Sequence, residues 1–218
     1  TWFTEKTVDN LVYQAMKYDS RDKWAMRDIL RLSHPKSDVH QDVFNWIVRG
    51  GSDSTLHPRL RAFDELQSET SPKKAAKLIL DNDLPREAVP TQFLASPDVW
   101  DALLFRLPMT AMIRNLATMT RVGLLKPMGD ATSKVIGELR NEDRIHKARV
   151  HPLAILSAMR VYASGYGDRG TNTWHPVQQI VDALDDAFYL AFQNSTVTNK
   201  RLLLGVDVSG SMTVGSIA

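Results

Sequence analysis

The chain has 218 residues, 43% of them hydrophobic and 24% charged, with a net charge of +2 and no cysteine. These figures suit a globular protein of one or two domains and exclude disulfide frameworks, thiolate metal sites and cysteine nucleophiles. No apolar run approaches the roughly 20 residues of a membrane helix, and the amino terminus has neither a signal-peptide pattern nor an initiator Met, as expected of a segment from inside a longer cytoplasmic protein.

Everything before residue 200 reads as helices. Glu5 to Tyr18 carries Val8, Leu11, Val12, Ala15 and Met16 at three- and four-residue spacing, a one-sided apolar stripe. Asp19-Ser20-Arg21 interrupts it, and Asp19 or Ser20 is suited to cap a second helix containing Trp24, Ile29, Leu30 and Leu32. His34-Pro35 ends that helix, because the residue before proline is pushed out of the α region. Asp38 to Arg49 is a third helix, with Val43, Phe44, Ile47 and Val48 inward and Gly50-Gly51 closing it. Leu56 to Gln67 and Ser71 to Leu80 follow, the latter with proline at its first position.

Pro85, Pro90 and Pro97 make residues 81–97 mostly loop, with one turn near Arg86. Ser96-Pro97-Asp98 opens a helix through Arg106, Leu107-Pro108 breaks it, and another runs from Pro108 to Val122. Asp130 to Leu139, Glu142 to Ala148 and Pro152 to Ser164 are helical, and Gly165, Gly167 and Gly170 form a turn with Tyr166 and Arg169. Trp174-His175-Pro176 begins a long helix to Phe192, followed by a polar linker. Consecutive helices joined by short turns predict an α-solenoid or irregular bundle.

Charge is segregated along this series. No acid lies between Asp101 and Asp130, whereas Arg106, Arg114, Arg121 and Lys126 do. In the Pro108 helix, Met112, Leu116 and Met119 form the buried stripe, and Thr110, Arg114, Thr118 and Arg121 stand roughly opposite. Two arginines without internal acids are either solvated, paired to neighbouring helices, or set for phosphate, whose oxygens match the guanidinium fork.

The last stretch changes character. Leu202 to Val206 is an apolar run too short for a lone helix, and it feeds Asp207-Val-Ser-Gly-Ser211. A strand with a carboxylate and two hydroxyls at alternate positions of its carboxyl end suits a hard cation such as Mg²⁺, with Asp207, Ser209 and Ser211 as ligands. D-x-S-x-S after a strand resembles the metal-ion-dependent adhesion site (MIDAS) of von Willebrand factor A domains. Three ligands without neighbouring strands make an incomplete site, with weak or absent binding in this chain.

Trp24-Ala-Met-Arg-Asp-Ile-Leu-Arg-Leu-Ser-His34, the run from Leu107 to Thr120, Ala148-Arg-Val-His-Pro152, Gly165-Tyr-Gly-Asp-Arg-Gly170 and Lys200 to Met212 together, in order and spacing, resemble the TROVE-domain family of the Ro autoantigen. The resemblance covers essentially the whole chain. It implies a mainly α fold, a ring of HEAT-like helical repeats closed by a von Willebrand A domain. Here residues 1–193 would be the TROVE-type repeat region, 194–200 a linker and 201–218 the first strand and metal loop. It also implies a ribonucleoprotein component that binds small noncoding Y RNAs on the outside and the single-stranded ends of misfolded RNAs nearer the hole. The matching outer positions are Lys17, Arg21 and His34, where Asp19 and Asp22 lower the local positive potential; Arg114 and Arg121 would serve single strands.

No H-E-x-x-H, Walker loop or G-x-S-x-G elbow is present, so no enzyme activity is expected. Noncoding RNA is the expected partner, together with a ribonuclease or other RNA-processing protein and without a membrane. The competing reading is a metal-dependent protein-interaction module on a helical frame.

Overall fold

In the computed structural model of the chain, the described residues are 2–18, 20, 21, 23–50, 57–167, 171–195, 199–201, 203, 205 and 207; of Ser20 and Arg21 only the backbone is described. These residues form eleven α-helices and one small hairpin. The fold is mainly α. It divides into two compact units, one reaching to Met112 and including Val122–Leu125, the other holding Ile113–Arg121 and the chain from Lys126 onward.

In the first unit, α1 (Val8–Lys17) starts at Thr7, whose hydroxyl accepts the Asn10 N–H, and buries Leu11, Val12, Ala15 and Met16 as the periodicity requires. The next segment departs from expectation. Ser20–Arg21 and Trp24–Ala25 pair as β1 and β2 of an antiparallel hairpin, turning at Lys23 with φ 70°. Helix α2 (Met26–Ser33) therefore begins later than Asp19 or Ser20 could cap it. Asp28 caps it from within, accepting the Ala25 N–H at 3.0 Å. Only Leu30 of its apolar residues is buried; Ile29 and Leu32 are exposed, as is Trp24 in β2. The helix ends at His34, which is left-handed at φ 42°.

A 3-10 turn over Asp38–His40 leads into α3 (Gln41–Arg49), which buries Val43 and Phe44 and closes at Gly50 with φ 66°. His40 is buried, its Nε2 donating to the Lys6 carbonyl at 2.8 Å and its Nδ1 2.8 Å from the Ser37 hydroxyl. Helices α4 (Pro58–Ser68), α5 (Pro72–Asn82) and α6 (Pro97–Leu104) follow, each with proline in its first turn. Ser71 does not cap α5 with its side chain. Glu69 instead accepts the Thr70 and Ser71 N–H groups at 2.8 Å, and these bonds hold its carboxyl below the usual range, Ser71 first. Between α5 and α6 the expected turn at Arg86–Ala88 forms, and a second 3-10 segment, Thr91–Ala95, was not foreseen. Trp100 is fully buried in α6 and donates its indole N–H to the Leu94 carbonyl at 2.9 Å.

Helix α7 (Met109–Arg121) belongs to both units in succession, and Met112, Leu116 and Met119 are buried as its stripe predicts. In the second unit, α8 (Asp130–Leu139) and α9 (Glu142–Ala148) have the expected bounds, and α10 (Pro152–Ser164) packs on α11 (Gln178–Ala191). Helix α11 starts later than Trp174 because the preceding segment is tied to α10. Trp174 donates its indole N–H to the Tyr162 carbonyl at 2.8 Å, and the Tyr162 hydroxyl accepts the Val177 N–H at 3.2 Å and meets Thr120 at 2.9 Å. Burial raises the Tyr162 hydroxyl's pKa against both of those hydrogen bonds, so it stays protonated. Gly165 makes the turn at φ 77°; a Cβ there would lie 2.9 Å from the Trp174 carbonyl oxygen.

The strand expected at 202–206 lies largely outside the described residues, which there include only Leu203 and Gly205. Arg201, Leu203, Gly205 and Asp207 are exposed. No described helix is long and apolar enough to cross a membrane.

Candidate nucleic-acid interface

The two arginines singled out on α7 are exposed, and neither forms an ion pair or hydrogen bond among the described residues. They stand seven positions apart, about 10 Å along the axis at 1.5 Å per residue, and so project from one face of the helix. Both lie in the second unit. Thr118 between them is half-buried, while Thr110 is exposed. Two guanidinium groups unpaired among the described residues on one exposed helix face suit phosphate oxygens, whose geometry matches the guanidinium fork.

Arg106, counted with them in the acid-free stretch, is different. Its Nη1 lies 3.1 Å from Asp83, which also takes Arg59 at 2.9 Å. Asp83 is the left-handed cap of α5, so one carboxylate clamps the ends of α5 and α6 to the start of α4. Arg144 is likewise engaged, by Glu138 at 2.9 Å, and Arg140 by Asp186 at 2.7 Å.

The outer set Lys17, Arg21 and His34 is only partly assembled. The Lys17 ammonium is 3.5 Å from the Tyr13 hydroxyl and sits over the Tyr13 and Tyr18 rings at 5.4 and 5.7 Å. Partial burial pulls its pKa down, but Tyr13, Glu87 and Tyr18 outweigh this and raise it, so the charge is held largely by its own helix. Arg21 contributes backbone to β1, and its side chain lies outside the described residues, as do Asp19 and Asp22. His34 is exposed and lines a cleft of about 240 Å³ with Arg31, Gln41, Asn45 and Arg49. Arg31 and Arg49 are exposed and form no ion pair among the described residues, so the histidine is flanked by two available guanidinium groups. Sequence reasoning missed both. The only signal was helical phase, because Arg31 precedes His34 by one turn of α2 while Arg49 arrives from α3.

Asp207 is exposed, Ser209 and Ser211 lie outside the described residues, and no cluster of three metal-ligating side chains occurs among the described residues.

Residues 59–161 match the TROVE domain. Over 220 residues the chain is 41% identical to the RNA-binding protein RO60 of Deinococcus radiodurans, covering 97% of this chain and 41% of that protein. It is 34% identical over 262 residues to the RNA-binding protein RO60 of Caenorhabditis elegans, covering 97% and 40%. The crystal structure of the Deinococcus radiodurans RO (RSR) protein superposes with a TM-score of 0.85 at 40% identity, covering 99% of this chain and 45% of that one. The chain thus spans about two fifths of the length of the curated relatives it matches. Matched to this group over nearly its whole length, in sequence and in fold alike, the chain belongs to the TROVE-domain family of Ro proteins.

Proposed function

We propose that this chain is part of a non-enzymatic RNA-binding scaffold, a ribonucleoprotein component of noncoding-RNA quality control. On this reading it takes Y-like structured RNA at the His34 cleft and single-stranded or misfolded RNA ends at the α7 face. The observation that carries the reading is the unpaired Arg114 and Arg121 on one exposed helix face. The likeness to two proteins described as RNA-binding supports it. A ribonuclease or other RNA-processing protein sharing the bound RNA, and a cytoplasmic setting, belong to the same proposal.

The test is salt dependence. Each phosphate contact to a single strand contributes about 0.7 to the slope of log affinity against log salt. Replacing Arg114 and Arg121 together by Gln is expected to flatten that slope by about 1 to 1.5 in anisotropy titrations with a single-stranded oligonucleotide. An unchanged slope and affinity would make both arginines structural and remove the main support for the reading.

Mg²⁺ at Asp207, Ser209 and Ser211 belongs to this proposal only as a weak site. Mg²⁺ demands octahedral geometry and dehydrates reluctantly, and three protein ligands leave half of its six positions to water. Calorimetry on this chain is expected to show no stoichiometric Mg²⁺ binding in the micromolar range; tight one-to-one binding would contradict this.

A further inference from the structure

Beside the His34 cleft, the first unit holds a larger one of about 620 Å³, a size typical of small-molecule sites. Its lining mixes polar groups with an apolar and aromatic set: Met16 at the end of α1, Met26 at the start of α2, Trp46 in α3 and Phe63 in α4. Trp46 and Phe63 meet edge to face, ring centres 5.4 Å apart, which fixes both ring planes. Among the described lining residues Asp64 is the single acid, and Arg27 and Arg49 are the only cations. Arg27 is paired only loosely, with Asp28 at 3.9 Å. The indole N–H of Trp46 donates to both Asp64 oxygens at 3.3 Å, which aims the carboxylate and leaves lone pairs on each oxygen. Burial pushes the Asp64 carboxyl's pKa up and the Trp46 N–H pulls it partly back. A half-buried carboxylate against aromatic walls calls for donors from a ligand, and the two exposed arginines call for an anion.

An unpaired nucleotide brings a flat ring, N–H donors and a phosphate in one piece. Among the bases, guanine presents two adjacent donors, N1–H and the N2 amino group, to the two oxygens of a carboxylate. Adenine and cytosine set one donor beside a ring acceptor, which a carboxylate repels, and uracil has one donor between two carbonyls. We propose that this cleft takes a single unpaired guanine nucleotide of a bound RNA, its base against Trp46 and Phe63, its Watson–Crick edge on Asp64 and its phosphate on Arg27 and Arg49. Single-stranded RNA is read in this way, by splayed bases stacked on aromatic rings and hydrogen-bonded at their edges. Arg49 also lines the His34 cleft, so a strand gripped there passes the mouth of this one. The inference rests on the RNA-binding reading above and adds the base it selects.

The test compares, by fluorescence anisotropy with the whole 218-residue chain, a hairpin RNA bearing one unpaired guanine with the same hairpin bearing adenine or inosine there. Guanine is expected to bind at least about tenfold tighter than adenine, about 1.4 kcal/mol. Inosine lacks the N2 amino group and is expected to lose most of that advantage, with no change in the protein. Asp64→Asn still accepts the Trp46 N–H, and is expected to keep the melting temperature and abolish the preference. Arg27→Gln should weaken all three RNAs alike. Guanosine monophosphate, followed by saturation-transfer NMR, separates the sources. Binding of it that Asp64→Asn removes supports a site filled by the mononucleotide alone, and preference without it supports delivery of the base by the RNA chain. Equal affinity for guanine and adenine, inosine equal to guanine, or a preference that survives Asp64→Asn overturns the inference while leaving RNA binding intact. Absence of RNA binding altogether overturns this inference and the broader reading together.

Discussion

Replacing Arg31, His34 and Arg49 together by Ala is expected to weaken a Y-like structured RNA by about hundredfold or more. Charge-assisted hydrogen bonds are worth about 1.5–3 kcal/mol each, so removing two guanidinium–phosphate bonds at the lower figure costs about 3 kcal/mol. All three residues line one cleft between α2 and α3, and both arginines lack an ion-pair partner among the described residues, so their charges are available to a ligand. A-form RNA presents its phosphate backbone to such basic edges. A plain single-stranded oligonucleotide, held at Arg114 and Arg121, should change by less than about threefold. Lys17→Ala alone should matter little for either RNA, because its ammonium is already engaged by Tyr13 and Tyr18. Filter binding with both RNAs decides this. Equal weakening of both would merge the two surfaces into one, and no weakening of either would mean that the His34 cleft does not take RNA.

Trp100→Ala is expected to destabilise the first unit by about 3–5 kcal/mol, the usual cost of emptying a large aromatic site that cannot collapse. Trp100 is wholly buried in α6, which packs on α5, and the indole N–H also satisfies the Leu94 carbonyl. For a chain of this size the change corresponds to a fall in melting temperature on the order of 10 °C. Thermal and urea unfolding followed by circular dichroism would measure it. A cost below about 1 kcal/mol would mean that neighbouring side chains close the space.

What the linear chain determined is the helical content and much of its phase. Met112, Leu116 and Met119 recur at a helix's own period, so burying one implies burying the others, and the outward position of Arg114 and Arg121 follows from the same geometry. Helices α8 and α9 have the bounds read from the sequence, since their ends carry local stop and start residues. Family membership was legible too, because its motifs are contiguous stretches whose order needs no folding to be seen.

What only the tertiary structure decided are the pairings between residues distant in sequence. Nothing in the acid-free stretch around Arg106 shows that Asp83, capped in a left-handed turn, will take its guanidinium along with that of Arg59. The two-residue strands at Ser20 and Trp24 are too short for any alternation to be counted, so the hairpin and the late start of α2 escaped sequence reasoning. His34 was placed on a helix end by its proline, but its partners Arg31 and Arg49 emerge only when α2 folds against α3. Asp64 is an ordinary helix-surface acid in sequence. It faces an aromatic cleft because α3 brings Trp46 across from a position eighteen residues earlier. Local periodicity is written into the chain because helices close their own hydrogen bonds. Clefts, ion pairs and sheets are not, because each requires a second segment.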